Sequence, residues 1–355
     1  MRNPLSVPII KPINGDCNLG CHYCYMFSIL EPQKSVRTIM SQEVLQTTID
    51  FFCSHQNDVE FTWHGGEPLL AGMEFYREVS KLQKQWISRG KKISNFIQTN
   101  GSLVDDEWAE LFKEIGFFVG VSLDAPASVH NRLRTFGCGT SSLSYVLRGI
   151  SKLIEKNIFN GVICCVGKRN FNKPREILDF FLDQGIKSIK FLRIKGDEQE
   201  AISASQYADF LFQIFNLWIE IDNPDLEIRD IKSIVDILLG GEFRECTFTG
   251  RCDQFATVYN DGSIFPCDRF INEPRLRFGT VFEPYTKVLI GENFQAFLAE
   301  MRVTKELCHG CCWSSLCNGG CFKERLSNEK GNICRANQKL FEGIESALKK
   351  YGLLV

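Results

Sequence analysis

Three cysteines stand at positions 17, 21 and 24, in the run CNLGCHYCYM, a CxxxCxxC spacing near the start of a 355-residue chain. Thiols this close together on one short stretch address one metal centre. Structural zinc takes four protein ligands, usually from paired CxxC knuckles, whereas here three thiols stand with only His22 between them as a further donor. Iron-sulfur clusters also take thiolates, and a 4Fe-4S cube held by three leaves one iron open to a small molecule. Eight more cysteines fall at Cys246, Cys252, Cys267, Cys308, Cys311, Cys317, Cys321 and Cys334. Eight thiolates satisfy two further cubes with four each, and a CxxC pair with two more cysteines also satisfies a zinc ribbon. The other five of the sixteen are Cys53, Cys138, Cys164, Cys165 and Cys312, which lie outside these spacings or duplicate a neighbour. Cys53, Cys164 and Cys165 read as small buried hydrophobes; Cys138, between two glycines, reads as a loop thiol or one nearer the site.

The elements that position these residues follow from apolar periodicity. Extended runs are expected at 6–12, 58–64, 93–99, 117–123, 161–167 and 186–194, with helices between them at 41–55, 105–116, 142–156 and 173–185. Strict strand-helix alternation over six units calls for an α/β fold with a parallel sheet, as a partial barrel or an open doubly wound sheet. CNLGCHYC then follows the first strand, GGEP (Gly65 to Pro68) the second, QTNG (Gln98 to Gly101) the third and Asp124 the fourth. All sit at carboxyl ends of strands, where such folds build active sites. Beyond residue 195 the pattern turns helical (203–221 and 228–241). It then gives a hairpin over 256–267 about the turn Asn260-Asp261-Gly262, and a closing helix over 335–351. The expected division is 1–195, a helical connector 196–240, and a cysteine-rich domain 241–355.

Composition narrows the function. A net charge of −2 carries no bulk attraction to nucleic acid or to a membrane surface. With 44% hydrophobic residues, no run long enough to span a bilayer and no signal peptide, the expectation is a cytoplasmic protein whose thiols stay reduced.

CxxxCxxC after the first strand with GGEP after the second resembles the radical S-adenosylmethionine (SAM) superfamily. The resemblance implies a partial (β/α)6 barrel in which Cys17, Cys21 and Cys24 hold a 4Fe-4S cluster whose open iron chelates SAM. An electron from that cluster cleaves SAM to a 5′-deoxyadenosyl radical, which abstracts a hydrogen from substrate. By motif position, Gly65, Gly66 and Glu67 bind the SAM amine, Tyr23 lies against the adenine, and Asn100, Ser122 and Arg134 face the ribose and carboxylate. The eight later cysteines resemble the SPASM extension of peptide-modifying members. That resemblance assigns Cys246, Cys252, Cys267 and Cys321 to one auxiliary 4Fe-4S cluster and Cys308, Cys311, Cys317 and Cys334 to a second, three clusters in all.

Substrate follows from finer likenesses. IIKPINGDCNLGCHYC, GGEPLLAG, QTNGSL and FPCD are similar to the anaerobic sulfatase-maturating group, which oxidises a cysteine or serine to formylglycine. In that group the aspartate after the third auxiliary cysteine, here Asp268, is the proposed base. Tyr25-Met26 and Trp63-His64 depart from its pattern at positions facing the substrate, and WHGGEPLL looks more like maturases of ribosomally made precursor peptides. The expectation is therefore peptide-precursor maturation by crosslinking or oxidation, with Tyr25, Met26 and His64 at the substrate. Formylglycine formation is the alternative, and a non-catalytic electron carrier or zinc protein is the reading from another class. Implied partners are a peptide or protein substrate and an electron donor such as flavodoxin or ferredoxin, with no nucleic acid and no membrane.

Overall fold

In a computed structural model the described residues are 3–26, 38–196, 199–242, 245–270, 273–306 and 308–354. The strands are β1 (Val7–Ile10), β2 (Asp58–Trp63), β3 (Lys92–Thr99), β4 (Phe117–Ser122), β5 (Phe159–Val166), β6 (Ser188–Arg193), β7 (Glu227–Ile228), β8 (Phe255–Val258), β9 (Ser263–Phe265) and β10 (Gly279–Thr280). The chain forms two compact units, each drawn from separated segments: residues 1–122, 135–160 and 251–300, and residues 123–134, 161–250 and 301–355.

In the first unit the strand order is β10-β9-β8-β1-β2-β3-β4. The strands β1 to β4 are parallel, with Ile10 opposite Trp63, Trp63 opposite Ile97 and Thr99 opposite Val121. Helices Gln42–Cys53, Met73–Ile87 and Asp106–Glu114 follow in alternation with them. The first and third start on a side-chain cap: Ser41 accepts from Val44 N (3.2 Å) and Asp105 from Trp108 N (2.9 Å), satisfying amide groups that have no partner inside the helix. Trp63, Tyr76, Phe112 and Phe117 make an aromatic core under the sheet. Two polar hooks stiffen it: Trp63 Nε1 donates to Asn95 Oδ1 (2.9 Å), and Tyr76 Oη donates to the carbonyl of Pro68 (2.9 Å). Trp63, expected to face a substrate, is instead wholly buried; an indole at a strand position between apolar neighbours gains most by packing inward.

The expected hairpin forms as β8 and β9, with Val258 opposite Ile264. Its place is not visible in the sequence. β8 runs parallel to β1, Ile10 opposite Val258, and so lengthens the sheet beyond the first strand. Asn14 and Asn260 lock that join with two bonds, Asn14 Nδ2 to Asn260 Oδ1 (2.7 Å) and Asn260 N to Asn14 Oδ1 (3.2 Å).

In the second unit β5, β6 and β7 run parallel, Val162 opposite Ile189 and Ile189 opposite Ile228. Helix Ala204–Ile221 starts with a complete capping box between Ser203 and Gln206 and buries Ala208, Leu211 and Phe215 on one face. The closing helix is Lys330–Lys350, beginning five residues before the expected start, so Cys334 lies inside it. Among the described residues no helix is long and apolar enough to cross a membrane. The α/β class, with parallel strands β1 to β4 in one unit and β5 to β7 in the other, alternating with helices, is as the sequence implies.

Candidate active site

Cys17, Cys21 and Cys24 lie half-buried on the segment after β1, with Cys24 N donating to the carbonyl of Cys21 (3.1 Å). Asn100, just past β3, ties this segment down. Its Nδ2 donates to Asn18 Oδ1 (2.9 Å) and lies 3.6 Å from Cys17 Sγ, and its Oδ1 accepts from Ser102 N (2.9 Å) and Ser102 Oγ (2.7 Å). Leu19 N also donates to Cys17 Sγ (3.4 Å). Burial, and next the Glu67 carboxylate, push the Cys17 thiol up to about 12. Such a sulfur becomes a thiolate when a cation binds it and displaces the proton. Three thiols with N–H donors aimed at sulfur suit an iron-sulfur cube, whose sulfurs accept such bonds. Among the described residues, no three side chains of the metal-binding types stand close enough to hold a single ion.

GGEP is pressed against the same segment. Gly66 N donates to the Asn14 carbonyl and Glu67 N to the Asp16 carbonyl, each at 2.7 Å. A Cβ on Gly66 would lie 1.9 Å from the Asp16 carbonyl oxygen, so only glycine permits this approach. The Glu67 carboxylate is fully buried: Oε1 accepts from Leu69 N (3.0 Å) and Thr99 Oγ1 (2.7 Å), Oε2 from Asn100 N (2.7 Å). Burial pushes this carboxyl up to about 7, against the pull of those three donors. Its side chain thus fastens GGEP to QTNG, linking two strand ends that the sequence had placed on one rim.

The remaining residues expected at SAM divide between the units. In the first, Ser122 Oγ accepts from Gln98 Nε2 (3.1 Å), and Tyr23 is half-buried. In the second, Arg134 is buried with its Nε and Nη2 on the two oxygens of Asp124 (2.8 and 3.2 Å), and Asp124 Oδ1 also accepts from Cys165 N (2.9 Å). The guanidinium therefore already holds a bidentate carboxylate partner.

Asp268 gathers the residues expected at the substrate. Tyr25 Oη donates to its Oδ2 (2.6 Å), and His64 Nδ1 lies 3.8 Å from the same oxygen. Met26 is buried, its sulfur 3.6 Å from Lys11 Nζ. Lys11 and Tyr259 complete the group and escaped the sequence reading. Lys11 Nζ is 3.9 Å from Asp268 Oδ2 and sits over the Tyr25 and Tyr259 rings, 5.6 and 5.5 Å from their centroids, on a side chain with no exposure. A lysine continuing the apolar strand VPII was the available signal, because a cation there must find an anion. Burial alone would raise the Asp268 carboxyl; Lys11, His64 and the Tyr25 bond outweigh it and hold it at about 2. His64, lowered to about 4 chiefly by burial, is neutral near pH 7. The result is a carboxylate kept ionised in a part-buried site with a fixed hydroxyl and a fixed ammonium against it.

Of the later cysteines, Cys252 and Cys267 belong to the first unit and Cys246 and Cys321 to the second. Cys308, Cys311, Cys317 and Cys334 all lie in the second unit. Burial, then the neighbouring thiols Cys334 and Cys308, push Cys317 up to about 11. Gln338 Nε2 donates to Cys311 Sγ (3.5 Å).

Comparison with known proteins supports this reading. Residues 12–181 match the family model of the radical SAM superfamily, and residues 246–312 match an iron-sulfur cluster-binding domain, SPASM. The chain is 30% identical to a cysteine-type anaerobic sulfatase-maturating enzyme of Clostridium perfringens, over 96% of each chain. It is also 30% identical to a serine-type anaerobic sulfatase-maturating enzyme of Bacteroides thetaiotaomicron, over 91% of this chain and 84% of that one. Among solved structures, native anSMEcpe with bound AdoMet and Cp18Cys peptide superposes with a TM-score of 0.87 at 28% identity, covering 98% of this chain and 99% of that one. Streptococcus suis SuiB bound to precursor peptide SuiA shares the fold, with a TM-score of 0.66 at 14% identity over 90% of this chain and 73% of that one. These matches set aside the non-catalytic carrier and the zinc protein, and they favour the sulfatase-maturase alternative over the precursor-peptide reading.

Proposed function

Because the chain belongs to the anaerobic sulfatase-maturating group of radical SAM enzymes, we propose that it oxidises a cysteine or serine of a peptide or protein to the aldehyde of formylglycine. The observation that carries this reading is Asp268, ionised and fixed by Tyr25 and Lys11 in the same unit as Cys17, Cys21 and Cys24. Near-complete coverage of the maturating relatives supports it, whereas the likeness to SuiB extends to the fold alone.

The proposal includes three 4Fe-4S clusters, assigned to Cys17, Cys21 and Cys24; to Cys246, Cys252, Cys267 and Cys321; and to Cys308, Cys311, Cys317 and Cys334. When bound, SAM and the clusters supply the radical that removes one hydrogen atom from the substrate β-carbon and take up the one electron that remains. The chain's own residues do the rest. Backbone groups of Gly65 and Gly66, with Tyr23, Asn100 and Ser122, would hold SAM, while Glu67 fixes the loop that presents them. Asp268 Oδ2 accepts the proton lost from the target thiol or hydroxyl. A carboxylate held near 2 is a weak base, but the S–H or O–H beside an oxidised carbon becomes a stronger acid as the electron leaves. For cysteine the resulting thioaldehyde exchanges sulfur for the oxygen of water, releasing hydrogen sulfide; serine gives the aldehyde directly. Tyr25, His64 and Met26 line the substrate side.

The division into a barrel (1–195), connector (196–240) and SPASM domain (241–355) belongs to the same proposal. So do a flavodoxin- or ferredoxin-like electron donor and a reducing, cytoplasmic setting that spares the thiols. The test is Asp268→Asn in the reconstituted enzyme with a cysteine-containing peptide: 5′-deoxyadenosine still forms, but aldehyde falls by about 10²- to 10⁴-fold, the range of a lost acid-base group. Aldehyde formation equal to wild type would remove Asp268 from the reaction.

A further inference from the structure

Among the described residues, Arg325 is a cation without a counter-ion. It ends the short helix Phe322–Arg325 and is about nine-tenths buried. Nε, Nη1 and Nη2 are all shielded from solvent and none has a hydrogen-bond partner. The Phe322 ring lies against it, 5.4 Å from the guanidinium carbon. Burying an ionised group without partners is strongly unfavourable, so proteins pair such groups or set them against other charge. Nothing else among the described residues meets that need. Among the described residues the other buried arginine and lysine each reach a carboxylate: Arg134 meets Asp124, and Lys11 meets Asp268.

The surroundings show which charge Arg325 is built to meet. A Cβ on Gly319 would lie 2.5 Å from Arg325 Nη1, so the glycine leaves the space the guanidinium fills. Gly319 sits two residues from Cys317 and two from Cys321. The next residue, Gly320, faces the cysteines: a Cβ there would lie 3.8 Å from Cys317 Sγ. Hydrogen-bond donors already address the sulfurs of this set, Gln338 Nε2 to Cys311, and the Asn337 side chain and Gly319 N to Cys317. Four thiolates around a cubane core carry net negative charge that grows by one on reduction, and nearby cations and N–H donors set how readily that happens.

We infer that Arg325 is the charge partner of the cluster held by Cys308, Cys311, Cys317 and Cys334, and that it raises that cluster's reduction potential. This rests on the reading that those four cysteines bind a 4Fe-4S cluster. Arg325 touches no substrate; it acts by positioning charge. Because the reduced cluster is the more negative form, a fixed cation stabilises it more, so the cluster accepts an electron more readily than it would beside a neutral side chain. No proton or further reactant is needed, since the residue changes an equilibrium without entering a step.

The experiment is an EPR-monitored reductive titration of the anaerobically reconstituted full chain, as wild type, Arg325→Gln and Arg325→Lys, with iron and sulfide counted on each sample. The proposal predicts full iron in all three. At fixed potential the reduced fraction of one cluster falls about tenfold relative to the oxidised in Arg325→Gln, a shift of about 59 mV for one electron, and Arg325→Lys restores most of it. Loss of about four irons in Arg325→Gln but not in Arg325→Lys also supports the role, since the neutral side chain then fails to balance the cluster at all. Unchanged potentials with full iron, or equal losses in both variants, overturn it. The underlying reading fails separately: if changing Cys308, Cys311, Cys317 and Cys334 to alanine leaves iron and sulfide at the wild-type count, those cysteines hold no cluster.

Discussion

Single residues show where sequence reading reaches and where it stops. The cysteines and GGEP declare themselves by type and spacing, because thiolate ligation and a loop lacking Cβ atoms restrict which residues can serve. Lys11 and Arg325 do not, since their meaning lies in neighbours in space, Asp268 in one case and the loop of Gly319 beside Cys317 in the other. Lys11 supports a prediction. It is the leading influence holding the Asp268 carboxyl at about 2 against burial, with His64 and Tyr25 behind it. In Lys11→Met, burial regains weight, Asp268 rises toward or beyond the ordinary carboxylate range, and its ionised form is lost as pH falls through a higher value. A pH profile of aldehyde formation should then show its acid limb displaced upward relative to wild type; an unmoved limb would mean the ammonium does not set the charge on Asp268.

At the scale of elements, strands β1 to β6 and the four expected helices between them follow the apolar pattern to within a few residues at their ends, whereas the helices Met73–Ile87 and Ala127–Leu133 are not among those expected. What pattern could not supply is register between distant segments. β8 beside β1 is such a case, because its four residues read equally well as any short extended run and only pairing with Val7 to Ile10 gives them a place. The loops between elements carry the sharper physical constraint. Asn14, Asp16, Gly66 and Glu67 exchange backbone bonds so closely that one methyl group does not fit. Gly66→Ala should therefore cost about 3 kcal/mol of stability, the upper range for forced overpacking, and weaken SAM binding with it. Urea unfolding together with equilibrium binding of SAM would register both. A variant as stable as wild type would show that the two loops part easily.

For the whole molecule, acid sensitivity follows from a buried histidine beside the Asp124 and Arg134 pair. His130 has no exposure, its Nδ1 accepts from Asp124 N (3.3 Å), and the Asp124 and Arg134 pair faces it. Burial, and then the Arg134 charge, lower it to about 4, against 6.5 unperturbed. On acidification the unfolded chain takes up this proton first, so the stability it represents is complete above about pH 6.5 and is lost as pH falls toward 4. The full amount is about 3 kcal/mol. Urea midpoints measured across that window should fall less steeply in His130→Gln than in wild type; equal slopes would show that another group governs the acid limb.

The molecule as a whole is claimed to turn a cysteine or serine side chain into an aldehyde, and one product analysis addresses that directly. The reconstituted enzyme, given SAM, a low-potential reductant and a peptide with one internal cysteine, is followed by high-resolution mass spectrometry with hydrazine trapping of the product. The account predicts a peptide that has exchanged its sulfur for oxygen and forms a hydrazone, with hydrogen sulfide released. A product that keeps its sulfur and joins it to another residue would contradict formylglycine formation and return the chain to the crosslinking maturases.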